Sequence, residues 1–335
     1  MSTAVIPYRE ESHCFGPESR LIGTLTLPEA PPATHPHVPA ASRGHGSLPR
    51  TPGLILLNAG MLPRIGPHRL NVELARTAAA QGIAAIRFDL PGLGDSGFTS
   101  SRLSHEEQTR IAIEEAMGLL ARTEHAPEHF LIAGLCSGAD AGFQIARQDP
   151  RIVGLYMMEP YYFPNRLSGT FRTLRRLREY GLRRSLVRIL QKSPLSRRGD
   201  PAREGVASPP PQAEPEETVR AAPTPHAFAQ DLKSLLGRGV QIKLVYANTL
   251  MGQWDLKHHH RTIFDQLGNP PHFDVELVPH TDHVFTRVEA RRHLVRGLAA
   301  WLRKVHPRAD EHAHPPASGR SHARVHKSRS RKKPD

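Results

Sequence analysis

Cysteine is nearly absent. Only Cys14 and Cys136 occur among 335 residues, so a disulfide-stapled scaffold is excluded and thiol chemistry has just two candidate positions. No apolar run approaches the roughly 18 residues of a membrane-spanning helix. The first ten residues lack the charged-then-apolar layout of a secretory signal, and the expectation is a cytoplasmic chain. No G-x-G-x-x-G fingerprint is present, and the glycine-rich run Asp89-Leu90-Pro91-Gly92-Leu93-Gly94-Asp95-Ser96-Gly97 has a different spacing, so nucleotide binding is not expected there. The run His258-His259-His260 has no accompanying carboxylate or cysteine pattern, and adjacent helical residues point in different directions; no metal and no other cofactor is expected.

Acidic residues are also scarce, and the formal charge is +13. That excess is local. Residues 161–199 carry eleven Lys/Arg against one acid, and residues 306–335 carry eight against three, which leaves −2 for the rest of the chain. The tail has no interleaved aromatics and is expected to solubilise the chain, with no specific nucleic-acid partner. The 161–199 segment has Leu167, Phe171, Leu174, Leu182, Leu186, Ile189 and Leu190 at helical spacing with arginines between them. It fits a lid with a solvated cationic face, and it also fits weak contact with an anionic membrane surface through residues such as Arg175 and Arg183.

Apolar periodicity divides the chain into an N-terminal hairpin (1–28, with Gly16-Pro17-Glu18-Ser19 at its turn), a flexible loop (29–52), a first core part (53–158), a basic and partly disordered cap insertion (159–226), a second core part (227–305) and a disordered basic tail (306–335). Continuous apolar strands at 53–57, 83–88, 129–133, 152–158, 240–246 and 273–278 alternate with helical stripes, including helices expected near 228–236 and 261–267. Strand alternating with helix predicts an α/β fold with a mostly parallel sheet flanked by helices.

The chemistry centres on Gly134-Leu135-Cys136-Ser137-Gly138. Its G-x-nucleophile-x-G spacing, between an apolar strand and a helix, is that of a nucleophile elbow carrying a thiol. A thiol nucleophile needs a base, and His283 lies after the last strand and before the last helix, with His280 as a neighbouring competitor. An orienting carboxylate is expected after the preceding strand, where Asp255 is the candidate; Asp255 fits equally well as a helix cap. The amide of Ser137 and that of Met61, or of Gly60, are candidates to hold an oxyanion.

These segments resemble the α/β-hydrolase superfamily, and within it the serine aminopeptidase-like and exosortase-associated hydrolases. The resemblance rests on Asn58-Ala59-Gly60 with residues 64–69, Arg87 to Ser96, the elbow, and Asp282-His283-Val284-Phe285. It implies an α/β-hydrolase fold with a helical cap, and roles for Cys136, His283 and the two oxyanion positions. In place of the family's Gly-Asp-Pro-Gly-like turn, this chain has Leu250 where the acid would stand, two residues before Gly252. The implied activity is hydrolysis of a small-molecule ester or thioester; acyl transfer to a sugar or other alcohol, or a non-catalytic binding role, are the alternatives.

Overall fold

The computed structural model describes residues 6–29, 51–98, 102–163, 222–247, 263–268 and 270–307. The core of the expected flexible loop, the cap insertion from 164 with Arg175 and Arg183, the histidine run, Leu250 to Asp255, and the tail from 308 lie outside them.

Eight strands form one sheet. β1 (Tyr8–Phe15) and β2 (Leu21–Pro28) are an antiparallel hairpin, followed by β3 (Gly53–Leu57), β4 (Ala85–Phe88), β5 (Phe130–Leu135), β6 (Ile152–Met158), β7 (Gln241–Ala247) and β8 (Phe273–Val278). The order is β1-β2-β4-β3-β5-β6-β7-β8. β2 meets β4 antiparallel, and every pairing from β4 through β3 to β8 is parallel. Parallel strands require crossovers, and helices lie on those from β3 to β7: α1 (Leu70–Ala79), α2 (His105–Ala121), α3 (Ser137–Gln148) and α4 (Pro225–Gly237); α5 (Val288–Val305) follows β8.

The alternation of side chains along each strand sorts the core into two layers. Leu54 and Leu56 of β3 face α1 and α5, where Leu70, Leu74, Leu294, Leu298 and Trp301 pack. Ile55 and Leu57 face α2, α3 and α4, against Met117, Leu120, Phe143 and Leu232. Local signals fix the helix starts. Ser104 and Glu107 form a reciprocal capping box on α2, and Thr224 accepts from the Ala227 amide ahead of Pro225 on α4.

Two elements differ from the sequence reading. β1 runs from Tyr8 to Phe15, whereas the apolar pattern of the hairpin is readable only from Cys14 to Pro28. It is an edge strand rich in polar residues and only partly covered, so it carries no apolar run to read. Of the helix expected over 261–267, the described residues hold a single 3-10 turn, Phe264–Leu267, stopped by Gly268 in the left-handed region at φ 71°.

The glycine-rich run after β4 serves the fold. Asp89 is fully buried, and its carboxylate accepts from the Arg64 amide and guanidinium, both at 2.5 Å, and from the Asp95 amide at 3.1 Å. Arg64 also reaches Asp95 at 2.7 Å. This knot ties the segment after β3 to the segment after β4. Asp89→Ala would leave the half-buried Arg64 without its closest anion and strand two amides. An unfolding free energy lower by about 3 kcal/mol is expected, seen as an earlier urea midpoint with unchanged slope; a loss under about 1 kcal/mol would show that water satisfies the knot.

Candidate active site

Cys136 sits between β5 and α3 with φ 57° and ψ −121°, a conformation that side-chain-bearing residues rarely adopt. Holding it there costs about 1–3 kcal/mol, so the surroundings must enforce it. They do so by backbone contact. A Cβ added to Gly134 would lie 2.4 Å from the Gly138 carbonyl group, and one on Gly138 would lie 2.4 Å from the Asn58 carbonyl oxygen. Only hydrogen fits at either position, which is the physical content of the spacing. The Cys136 amide donates to Met158 O at 2.8 Å, and the Asp140 amide donates to Cys136 O at 3.1 Å, starting the helix. The side chain of Cys136 is partly buried against Leu135, Met158 and their neighbours.

His283, in the loop between β8 and α5, is hydrogen-bonded to Cys136. Its Nδ1 lies 2.9 Å from Oε2 of Glu159. His280, the competitor, is exposed, and its carbonyl accepts from Arg287.

Glu159 is the residue sequence reasoning missed. It directly follows β6 and is 2% exposed. Its backbone takes φ 50°, its amide donates to Val245 O at 2.8 Å, and its Oε1 accepts from the Ala247 amide. The carboxylate that meets His283 thus stands at the end of β6, the strand beside β7, and is the first residue of what reads in sequence as the cap insertion. Asp255 lies outside the described residues, and no role for it follows from the structure. One signal was available in sequence: a carboxylate closing an apolar strand next to the elbow strand, at the carboxyl edge of a parallel sheet where ligand sites gather.

A cysteine elbow after β5, a carboxylate after β6 and a histidine after β8, on a sheet of this strand order with an amide-bearing loop after β3, decide the architecture. The fold is that of the α/β hydrolases. No protein-family model matches the chain and no curated protein matches it. Solved structures resemble it in shape. A protein of Xanthomonas campestris described as an α/β serine hydrolase without lid has 13% identity and a TM-score of 0.45, over 91% of this chain and 99% of its own. An esterase of Pyrococcus furiosus has 11% identity and a TM-score of 0.46, over 89% and 91%. A dienelactone hydrolase from Anabaena variabilis has 12% identity and a TM-score of 0.44, over 89% and 98%. Identities and scores this low assign no chemistry, which must come from the residues of this chain.

The two oxyanion candidates on the β3–α1 loop are distinguishable. The Gly60 amide donates to Ser137 Oγ at 2.7 Å. The Met61 amide has no hydrogen-bond acceptor among the described residues, and neither has the Ser137 amide at the first turn of α3. The Met61 side chain is 83% exposed. Among the described residues no group of three or more His, Cys, Asp and Glu could hold a metal ion, and no helix is long and apolar enough to cross a membrane.

Burial alone would lower the His283 imidazole. The hydrogen bonds to Cys136 and Glu159, with the coulombic attraction of each in its anionic form, outweigh it and raise the pKa from 6.5 to about 9. Since the folded value lies above the unfolded one, the protonated ring stabilises the fold fully below about pH 6.5, and that contribution disappears as pH rises through about 9. Glu159→Gln keeps the side-chain shape and removes the charge. Its His283 is expected to titrate well below the wild-type value, as read from imidazole NMR shifts; an unchanged titration would show that Glu159 does not set the charge of the ring.

Proposed function

We propose that this chain is a hydrolase that works through an acyl-enzyme on Cys136, with esters or thioesters of small acyl groups as substrates. The observation that carries the reading is the placement of His283 between a thiol on a strained elbow and a buried carboxylate. The contacts with Cys136 and Glu159 both favour the cationic imidazole, and the thiol and imidazole stabilise each other's charged forms, so the pair favours the thiolate, the reactive form.

The thiolate attacks the substrate carbonyl carbon, forming the C–S bond and placing negative charge on the carbonyl oxygen. The amides of Ser137 and Met61, which lack acceptors among the described residues, are the donors for that oxygen. Collapse breaks the bond to the leaving alcohol or thiol, which takes the proton of His283. Without the sulfur anion the imidazole is left neutral. It accepts a proton from water as the water oxygen attacks the thioester, and collapse returns the carboxylic acid and the thiolate–imidazolium pair. Glu159 holds Nδ1 throughout, keeping the other ring nitrogen toward the sulfur and stabilising the cation. Thioesters suit this centre well, because a thiolate expels another thiolate with little difference in basicity. An alcohol replacing water in the second half would turn hydrolysis into acyl transfer with no change to the first half.

The test is a burst experiment with p-nitrophenyl butyrate and a butyryl thioester. Wild type is expected to release one equivalent of leaving group rapidly, with a butyryl mass adduct on the peptide containing Cys136. Cys136→Ala should abolish the burst, and His283→Ala should slow acylation by about 1,000-fold or more. Adding glycerol or glucose would reveal transfer as an ester product. A Cys136→Ala variant that still turns over either substrate would overturn the reading.

A further inference from the structure

The β3–α1 loop is held by little apolar packing at its tip. A Cβ on Gly60 would meet nothing within 4 Å, and the Met61 side chain stands in the open. What shapes the loop is hydrogen bonding: Leu62 N donates to Ala59 O at 3.0 Å, Asn58 Nδ2 to Leu62 O at 2.7 Å, and Gly60 N to Ser137 Oγ at 2.7 Å. The first two close the turn on itself. Only the third reaches across to the first turn of α3. Gly60 lies at φ 54° in the left-handed region, so its conformation is easily held by glycine and as easily lost unless its amide is engaged.

We propose that the hydroxyl of Ser137 is a positioning residue for the oxyanion site. By accepting the Gly60 amide it removes that group from competition, fixes the peptide that follows, and leaves the Met61 amide as the second donor beside the Ser137 amide. One residue thus supplies a donor through its backbone and locates its partner through its side chain. The assignment rests on the acyl-transfer reading and goes beyond it, since the hydroxyl touches neither the sulfur nor the imidazole in that scheme. It also gives a chemical reason for a hydroxyl directly after the nucleophile: alanine or glycine would suit the helix start equally well but would leave Gly60 unpaired.

The experiment compares two reactions of Cys136 in a Cys14→Ser background. Alkylation by iodoacetamide needs the thiolate but no oxyanion site; acylation by p-nitrophenyl butyrate needs both. Ser137→Ala is expected to alkylate at the wild-type rate with an unchanged pH profile, while acylation falls about 10- to 100-fold at similar KM. Ser137→Thr, which keeps the hydroxyl, should recover most of the acylation rate. Wild-type acylation in Ser137→Ala, or an equal defect in Ser137→Thr, would overturn the assignment. A parallel loss of alkylation would overturn it too, by showing that the hydroxyl supports the elbow itself. A wild type that alkylates but is never acylated would remove the acyl-transfer reading, and this assignment with it, before any variant is made.

Discussion

The site depends on a carboxylate that cannot be left alone. Glu159 is buried at the carboxyl edge of the sheet, where an unpaired charge would cost several kcal/mol. Its partners are dictated by that cost: the Ala247 amide takes one oxygen and His283 takes the other. The Glu159 amide in turn bonds to Val245 O. This one residue joins the ends of β6 and β7 to the loop after β8. It holds one ring nitrogen of the histidine, and in the proposed reaction the thiolate of Cys136 depends on that histidine.

A second constraint meets the first at the sulfur. The elbow needs close backbone approach at Gly134 and Gly138, and Gly138 presses against the end of β3 through the Asn58 carbonyl. The β3–α1 loop is therefore anchored to the elbow by packing at Asn58 and by a hydrogen bond at Gly60. On its far side the Arg64–Asp89–Asp95 knot fixes the same loop to the turn after β4. Strain at Cys136 is thus opposed by contacts from the ends of β3 and β6.

What could be read in sequence was what local geometry encodes. The elbow is legible because glycine spacing is a short-range requirement, and the parallel sheet because strands buried on both faces are continuous apolar runs. His283 could be singled out because its loop falls between the last strand and the last helix. Glu159 was hard to read because its one local mark, a glutamate closing an apolar strand, points to His283 only once β6 and β7 are neighbours in the sheet. The family pattern also directs attention to the loop after β7, where Leu250 and Asp255 stand. Choosing between Gly60 and Met61 likewise needed three dimensions, because the choice turns on a hydroxyl 77 positions away from Gly60.

The central claim is that Glu159 and His283 hold Cys136 as a thiolate. Ultraviolet thiolate absorbance, followed against pH in a Cys14→Ser background, tests it most directly. The expected result is an ionised Cys136 persisting well below the ordinary thiol value of about 8.5, with its ionisation returning toward that value in His283→Ala. A Cys136 that titrates near about 8.5 in both proteins would contradict the account.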